Sequence, residues 1–543
     1  MRFLTRPVRR PFVPVNARAE LFRLDSVPSV PSPTASDDSG CRAATGQAVN
    51  ARGLWRGQGL ACALALLLGL LLPGLAAAQD AGANDPAAIL AEAGAGTRWG
   101  LVVADQEGRE ILALNPDNRF IPASNTKVFT TAAAMWARAR GEFPQPGDGG
   151  TRVRLARWSD SAVMDVVLEG RGDTRLSAAG DCLTDCLSTL AAAIARQTDT
   201  VRDVIGDDTA FPDERWSPGM SWNNIPTRSG TGISALSVDD NEIAATVTPG
   251  AIGSAPLVSI SNYYGIENHA VTVAGTEARL VSDRAPNERT VVLSGTIGAA
   301  APPEQLRFGI DDPALYAATL FHTMLTAHGV RVTGQARARH RPLLPSDDPR
   351  IRGDAPVPFI HHQPAIAVLT PPPLDEVLTP LNKISQNLYA ELILRRLGLI
   401  RGTGSIADGQ AVVRAMLDQA GAAPHGVSLS DGSGMSSYNR VAPRAMVRLL
   451  GWIARQPWGA EFRATLPVGG VDGTLAKRFA ATPLAGKLFA KTGTLNATNA
   501  LAGYLTAASG RTLTFAIYAN DVPEEVKATQ YMDRALVAIA AAN

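Results

Sequence analysis

The sequence predicts an α/β fold of the α+β type, in which helices flank a five-stranded antiparallel sheet and a large β-rich region interrupts the chain. Two observations support this prediction. Short apolar runs joined by turn residues lie near both ends of the 543-residue sequence, as expected for two hairpins. The long interval between them has a different texture, because proline and glycine turns separate its short apolar segments.

The predicted sheet takes two strands from the region after residue 97 and three from the C-terminal end. Gln106-Glu107-Gly108 supplies the first turn, and residues 507–510 supply the second. In the last strand apolar residues alternate with threonines and a tyrosine, a pattern that predicts a half-buried strand. The strands are predicted at residues 98–105, 109–114, 488–494, 501–506 and 512–519, and a closing amphipathic helix at residues 523–541.

The interrupting region is predicted at residues 147–354, which is enough chain for one domain or two small ones. The predicted five-stranded sheet would then belong to a discontinuous domain of residues 79–146 and 355–543, with residues 369–397 helical. Inside the insertion, strands are predicted at residues 243–247, 257–260, 270–273 and 290–293, and a helix at residues 313–327.

The first 78 residues are predicted to be an N-terminal extension followed by a secretory signal. Arg52 and Arg56 precede an apolar run at residues 60–72, and small residues end at Ala78. A positive segment, an apolar segment and a small-residue site are the three parts of a signal peptide, here cleaved after Ala78. The alternative is an uncleaved membrane anchor, because the apolar run is nearly long enough to span a bilayer. Either alternative places the remaining chain outside the cytoplasm, and the signal predicts a periplasmic protein.

Composition and cysteine usage exclude several classes of function. A net charge of +1 and a pI of about 7.7 give no indication of a nucleic-acid partner. The seven histidines are scattered, without a His-Glu-x-x-His motif or an acidic or cysteine cluster, so no metal or other cofactor is predicted. No histidine lies near a Gly-x-Ser-x-Gly motif, so a histidine-based serine triad is not predicted either. After signal cleavage only Cys182 and Cys186 remain, and whether they form a disulfide is left open.

The segment IPASNTKVFTTAAAMW, residues 121–136, is predicted to carry the central chemistry. Ser124 and Lys127 are three residues apart at the start of a predicted helix, so their side chains share a face. A serine hydroxyl needs an adjacent base to act as a nucleophile, and a lysine amine is such a base when its pKa is lowered. Only six of the 51 basic residues are lysine. Arginine, the prevalent cation here, does not lose its proton and is no base.

Two further motifs follow in the chain. Ser385-Gln386-Asn387 precedes an apolar helical stripe, and Lys491-Thr492-Gly493-Thr494 lies on a predicted strand. Ser-x-x-Lys, Ser-x-Asn and Lys-Thr-Gly in this order resemble the three-part signature of penicillin-binding proteins and serine β-lactamases. The resemblance implies a penicillin-binding/β-lactamase-like domain.

The long interval between Lys127 and Ser385 resembles the class C low-molecular-mass penicillin-binding proteins, the D-alanyl-D-alanine carboxypeptidase/endopeptidase family. Inserted domains occupy that interval in this family. Four other stretches are similar to the family, although Met435 stands where leucine is more usual. These stretches are IGDDTAF (205–211), ISALSVDDNE (233–242), SDGSGMSSYNRVAP (430–443) and LPVGGVDGTL (466–475).

The chemistry of the motif residues and the resemblance together predict their roles. Ser124 attacks the carbonyl between two D-alanines of a peptidoglycan stem peptide, and Lys127 takes its proton. Lys491 helps to keep Lys127 neutral, because a nearby like charge lowers the pKa of an amine. Ser385 relays a proton to the leaving amine, and Asn387 holds the substrate amide and orients Lys127.

The same two sources predict the substrate contacts. The N–H groups of Ser124 and Thr494 form the oxyanion hole. Lys491, Thr492 and Thr494 bind the terminal carboxylate, and Gly493 belongs to the same substrate-binding motif. β-Lactams are expected as covalent inhibitors. A peripheral association with the membrane or cell wall is also compatible with such a substrate.

Alternatives remain open at this point. A serine β-lactamase or an esterase for D-amino-acid esters has the same three motifs, although the large insertion argues against the first. A non-catalytic scaffold or β-lactam sensor, with a persistent acyl-enzyme, is a third alternative. Locally, Asn387 is compatible with a helix cap and Thr492 with an ordinary strand residue. Gly434 is interpreted as a turn glycine, and Ser436 is a weak candidate for lining the cleft.

Overall fold

Strands from the two ends of the described chain form one central sheet. The computed structural model describes residues 85–144, 150–157, 162–357, 364–422 and 426–543. The predicted signal segment and its cleavage site after Ala78 lie outside these residues. In chain order the strands are β1 (Arg98–Ala104), β2 (Glu110–Leu114), β3 (Arg152–Ala156), β4 (Asp165–Glu169), β5 (Thr200–Val201), β6 (Val204–Asp207), β7 (Glu242–Thr248), β8 (Leu257–Ile260), β9 (Gly265–Asn268), β10 (Val271–Val273), β11 (Ala278–Asp283), β12 (Thr290–Gly298), β13 (Glu304–Gly309), β14 (Arg331–Val332), β15 (Ala336–Arg339), β16 (Ala367–Val368), β17 (Val427–Ser428), β18 (Arg440–Val441), β19 (Leu488–Leu495), β20 (Thr498–Thr506) and β21 (Thr512–Asn520).

Helices cover this sheet and the sheets of the inserted region. In chain order they are α1 (Pro86–Ala91), α2 (Thr126–Ala139), α3 (Leu187–Ala195), α4 (Pro313–Ala327), α5 (Pro349–Arg352), α6 (Leu374–Lys383), α7 (Asn387–Gly398), α8 (Ile406–Gln419), α9 (Pro443–Ala454), α10 (Gly459–Thr465) and α11 (Ala528–Ala542). The helical segment predicted at residues 369–397 is therefore two helices, α6 and α7, separated at Ser385. The closing helix begins at Ala528, five residues later than predicted.

The central sheet has the order β19-β20-β21-β1-β2, and every neighbouring pair is antiparallel. The predicted five-stranded antiparallel sheet is confirmed. The prediction that the last strand is half-buried is wrong, because β21 is covered on both faces. Phe515 and Ile517 pack on one face together with residues of α1 and α11. Ala516 and Tyr518 pack on the other face with residues of α2 and α9.

Helix α2, which begins two residues after Ser124 and carries Lys127, lies in the larger of the two hydrophobic cores around the central sheet. All of its residues from Thr126 to Ala137 are buried, and α6, α7 and α8 contribute to the same core. Asn382 on α6 is also buried and donates to the hydroxyls of Thr131 and Thr465 at 3.1 and 2.9 Å. The start of α2 is thus held by packing on several sides, which suits a helix that carries reactive groups.

The described part of the inserted region contains a mixed sheet, two smaller β-sheets and the two-stranded parallel pair of β5 with β14. The mixed sheet has the order β15-β6-β4-β3-β16, with α3 and α4 in its core. The smaller sheets have the orders β10-β12-β11, with β9 beside β12, and β13-β7-β8. Strands β7, β8, β10 and β12 and helix α4 match the elements predicted there. Strand β16 pairs with β3, so this sheet includes residues beyond position 354.

Cys182 and Cys186, whose pairing the sequence left open, form a disulfide in the structure, with their Cα atoms 5.7 Å apart. Cys186 is the residue that precedes α3, outside the helical turns. The bridge therefore closes a turn at the helix start and does not have to join two positions of a regular helix.

We expect the substitution Leu501→Ala to lower the free energy of unfolding by about 2 to 5 kcal/mol, because it opens a cavity under the central sheet. Leu501 lies on β20 and is fully buried. Ile111→Ala on the edge strand β2 is the control, since Ile111 is 39% exposed and its truncation leaves little cavity. Urea denaturation of both variants checks this, and equal losses of stability would contradict the assignment of Leu501 to the core.

Candidate active site

Ser124 lies in a single 3-10 turn, Ala123–Asn125, immediately before α2. The helix therefore begins two residues after Ser124, slightly later than predicted. Ala123 has a φ of +47°, an uncommon conformation for a non-glycine residue. The Asn125 side chain donates to the Lys491 carbonyl oxygen at 2.7 Å and fastens this turn to β19. Ser124 itself remains partly exposed, so its hydroxyl is accessible to a substrate.

The Lys127 amine is fully buried and has three oxygen neighbours. Its Nζ lies 2.9 Å from Ser124 Oγ, 2.6 Å from Asn387 Oδ1 and 2.6 Å from the Ser433 carbonyl oxygen. The Asn387 amide is oriented by its own NH2 group, which donates to the Ser229 carbonyl oxygen at 2.9 Å. Asn387 Oδ1 and the Ser433 carbonyl accept hydrogen bonds only. A neutral amine that donates to both has its lone pair left for the Ser124 hydroxyl.

Burial lowers the pKa of Lys127 to about 7, and the negative charges of Asp431 and Glu391 partly oppose that shift. Burial also lowers the pKa of Lys491, and repulsion from Lys127 lowers it further. The sequence predicts that Lys491 lowers the pKa of Lys127. In the structure burial is the main cause of the lowered pKa for both amines. Two adjacent buried ammonium groups are unfavourable, so the pair loses a proton readily.

Lys491 connects the second motif to the third. Its Nζ lies 2.9 Å from Ser385 Oγ and 2.9 Å from the Thr492 carbonyl oxygen. Ser385 has a φ of +61°, which is costly for a residue with a side chain and requires support from its surroundings. That support is visible on both sides of it. Lys383 Nζ forms a 2.6 Å ion pair with Asp472, and Gln386 Nε2 donates to Asp240 at 3.2 Å.

The Lys-Thr-Gly strand, β19, forms one wall beside the serine turn. Gly493 approaches that turn so closely that a Cβ atom there would lie 2.4 Å from the Pro122 carbonyl oxygen. Thr492 Oγ1 lies 2.8 Å from Thr474 Oγ1, and Thr494 is exposed. Thr492 and Thr494 are two positions apart on a strand and therefore point to the same face. Both hydroxyls therefore lie along one side of β19.

The structure thus brings together the residues of all three motifs, although Lys127 and Ser385 are far apart in the sequence. Asn387 is the first residue of α7, whose N-cap is Gln386, so it is not the cap itself. Ser436 is fully buried and donates to the Pro218 carbonyl oxygen at 2.5 Å, which removes it from the candidates for lining the cleft. Gly434 is a turn glycine, with a φ of +90°.

Sequence reasoning missed the supporting residues Asp472, Asp240 and Glu391. Asp472 lies in the segment 466–475, which was noted only for its resemblance. Asp240 lies in the segment 233–242, which was likewise noted only for its resemblance, and Glu391 carried no signal beyond being an acidic residue in a predicted helical segment. The partners of Asp472 and Asp240 are more than eighty positions away along the chain, and the partners of Glu391 belong to a loop of irregular structure. No local periodicity reports such contacts.

The chain as a whole resembles proteins of one family. Residues 83–542 match the D-Ala-D-Ala carboxypeptidase 3 (S13) family. The chain belongs to this family. The S13 protein is 34% identical over 442 residues to a D-alanyl-D-alanine carboxypeptidase of an Actinomadura species, a match that covers 78% of this chain and 77% of the relative. It is 25% identical to D-alanyl-D-alanine carboxypeptidase DacB of Haemophilus influenzae, over 78% of this chain and 86% of the relative.

Solved structures support the fold of the S13 protein. The crystal structure of penicillin binding protein 4 from Haemophilus influenzae superposes with a TM-score of 0.67 at 22% identity, and the match covers 82% of this chain and 97% of that one. A structure of the same protein in complex with a β-lactam superposes with a TM-score of 0.61. The predicted class C penicillin-binding fold is therefore confirmed. In the part of the chain that the structure describes, no helix is long and apolar enough to cross a membrane.

Replacement of Gly434 by alanine should lower the rate of acylation by a fluorescent penicillin at least about tenfold. The added Cβ would lie 1.9 Å from the Ala123 carbonyl oxygen and 2.9 Å from the Ser124 nitrogen, so the serine turn or the facing loop must move. Gly510→Ala is the matched control, since Gly510 has a similar φ of +86° but no atom within 4 Å of the new Cβ. Equal acylation rates for the two variants would contradict this prediction.

The acylation rate should also depend on pH in a defined direction. Only the neutral Lys127 amine can accept the Ser124 proton, and burial sets its pKa to about 7. We expect the rate constant to be level above about pH 8 and to fall about tenfold per pH unit below about pH 6. Stopped-flow or gel-based labelling across pH 5 to 9, with circular dichroism to confirm that the protein stays folded, measures this. A rate independent of pH between 5 and 8 would exclude Lys127 as the base.

Proposed function

We propose that this S13 family member is a periplasmic serine D-Ala-D-Ala carboxypeptidase and DD-endopeptidase that acts on peptidoglycan stem peptides and is acylated by penicillins. Family membership supports the reaction class. The observation that carries the mechanism is the Lys127 amine, which lies 2.9 Å from Ser124 Oγ with its other two neighbours both acceptors. The exported location rests on the signal segment of the sequence.

In the acylation step the neutral Lys127 amine takes the proton from Ser124 Oγ, which attacks the carbonyl carbon between the two D-alanines. Negative charge then develops on the carbonyl oxygen. The N–H groups of Ser124 and Thr494 stabilise this oxyanion, and such a donor contributes about 3 kcal/mol in comparable sites. Collapse of the tetrahedral intermediate breaks the C–N bond and leaves the peptide as an ester on Ser124.

The leaving amine must gain a proton as the C–N bond breaks. Ser385 Oγ is suited to deliver it, because Lys491 Nζ lies 2.9 Å away and can supply a proton in return. Asn387 keeps Lys127 oriented and presents its amide to the substrate backbone. Lys491, Thr492 and Thr494 bind the terminal carboxylate of the stem peptide, with Gly493 allowing β19 to approach the serine turn. The proton that Lys127 took from Ser124 replaces the one that Lys491 gave up, which leaves Lys127 neutral again. Lys127 then takes a proton from the water that attacks the ester, and the proton passes to Ser124 Oγ as the shortened peptide is released.

A β-lactam follows the same first step, because its strained amide carbonyl occupies the position of the D-Ala-D-Ala carbonyl. The amine that leaves remains tethered to the acyl group after ring opening. It therefore stays in the cleft and hinders the approach of the deacylating water. Penicillin sensitivity follows from the mechanism that cleaves the peptide.

The test compares wild type with Ser124→Ala, using a fluorescent penicillin, intact-mass analysis and release of D-alanine from a stem pentapeptide. We expect one adduct and D-alanine release for wild type and neither for the variant, because no other side chain replaces the Ser124 hydroxyl. Ser509→Ala, in the exposed turn after β20, is the control and should behave as wild type. Rapid hydrolysis of penicillin would indicate a β-lactamase instead, and a stable adduct without D-alanine release would indicate a sensor.

A further inference from the structure

Two buried carboxylates, Glu391 and Asp431, lie behind the catalytic amine and belong to none of the three motifs. Glu391 is on α7, one turn after Asn387, and Asp431 begins the loop of residues 431–436. Their exposed fractions are 5% and 1%. Burial of an acidic side chain is costly unless hydrogen bonds and a counter-charge compensate it. Their partners indicate what these two groups support.

Glu391 holds the loop at the point where it contacts Lys127. Its Oε1 accepts hydrogen bonds from the backbone N–H groups of Gly432 and Ser433 at 3.0 and 2.8 Å. The Ser433 carbonyl oxygen in turn lies 2.6 Å from Lys127 Nζ. The N–H of Ser433 belongs to the peptide plane before this residue, whereas its C=O is coplanar with the Gly434 N–H. Glu391 therefore holds the Ser433 residue in place, and the direction of the carbonyl depends also on Asp431, which accepts from the Gly434 N–H.

Asp431 holds the remainder of the same loop. Its Oδ1 accepts from the Gly434 N–H at 2.9 Å and from Asn439 Nδ2 at 2.7 Å, and its Oδ2 accepts from the Ser436 N–H at 2.6 Å. Both of its oxygens face N–H donors. An amide in its place would direct an NH2 group at one of them, so Asp431 cannot be neutralised without disturbing the loop. Glu391 offers the cleaner test, since one of its oxygens accepts both loop N–H groups.

Charged groups face Lys127 from three elements. Lys491 on β19 is a second amine with a lowered pKa, whereas Glu391 on α7 and Asp431 on the loop are acidic and raise the pKa of Lys127. Arg395, on the next turn of α7, is buried, lies 3.4 Å from Glu391 and donates to the Glu214 carbonyl oxygen. Without the carboxylates, burial would make Lys127 a weaker base. A base with too low a pKa removes the serine proton less effectively.

We propose that Glu391 is a positioning residue of the reaction, whose carboxylate holds Ser433 in place beside Lys127 and whose negative charge keeps that amine a sufficiently strong base. The inference rests on the proposed role of Lys127 as the base for Ser124. It separates into a geometric part and an electrostatic part, and two conservative substitutions distinguish them. Glu391→Gln retains the accepting oxygen and removes the charge. Glu391→Asp retains the charge and withdraws the oxygen from the loop.

The experiment measures the second-order rate constant of acylation by a fluorescent penicillin from pH 5 to 9. For Glu391→Gln we expect the midpoint of the acidic limb to move about one pH unit lower, because Lys127 loses a negative neighbour. The charge of Arg395, no longer compensated, acts in the same direction. Asp431 opposes this change in part, because burial and Glu391 raise its pKa and the removal of Glu391 lets it ionise more readily. For Glu391→Asp we expect the midpoint to stay and the plateau to fall at least about tenfold.

Asp165→Asn is the matched control, because Asp165 is equally buried and is paired with Arg202 in the inserted region. It should leave both midpoint and plateau unchanged. A purely structural role for Glu391 would lower thermal stability but leave the midpoint of the folded protein unchanged, and that result would overturn the inference. If Glu391→Gln does not fold, the acylation rate of Glu391→Asp tests the inference. A plateau within about twofold of wild type would refute the positioning role of the carboxylate. Labelling of Ser124→Ala would refute the proposed function itself.

Discussion

The burial of one lysine amine is the constraint on which the rest of the site depends. Lys127 is removed from water, yet each of its hydrogens and its lone pair has an oxygen to meet. An amine in water would be almost fully protonated at neutral pH and would be no base. Burial favours the neutral amine. Because that amine donates its two hydrogens to Asn387 and Ser433, its lone pair is left for the Ser124 hydroxyl. The geometry of the site follows from satisfying this single buried group.

The hydrogen-bond acceptors of Lys127 are held in place by residues from distant parts of the chain. Asn387 is oriented by Ser229, and the loop that presents Ser433 is anchored at Ser436 to Pro218. Both Ser229 and Pro218 belong to the inserted region. The insertion is therefore more than an appended module, since its loops hold the second motif and the 431–436 loop from outside. The strained Ser385 is supported in the same manner by Asp240, through Gln386.

Local patterns predicted the secondary structure well and the burial less well. Alternation and turn residues located the strands of the central sheet to within a few residues, because a hairpin encodes its own register. The same alternation predicted a half-buried β21, and this was wrong. Small or weakly polar residues such as Ala516 and Tyr518 can lie on a covered face, and only the helices packed there show that it is covered. Similarly, the helical pattern of residues 369–397 did not itself show the interruption at Ser385, which was expected only from the loop position of the Ser-x-Asn motif. The left-handed residue is supported by the Lys383–Asp472 ion pair and by Lys491.

By itself the sequence determined the three motifs, their order, the five-stranded sheet and the family resemblance that the comparisons confirmed. These features are local, or are carried by residue identity, so a linear reading reaches them. Only the tertiary structure decided that burial sets the basicity of Lys127, that Ser436 faces away from the cleft, and that Glu391 and Asp431 lie behind the amine. The physical reason is that electrostatic and hydrogen-bond environments depend on distances across space. Residues far apart in the sequence set those distances, and no periodicity within one segment records them.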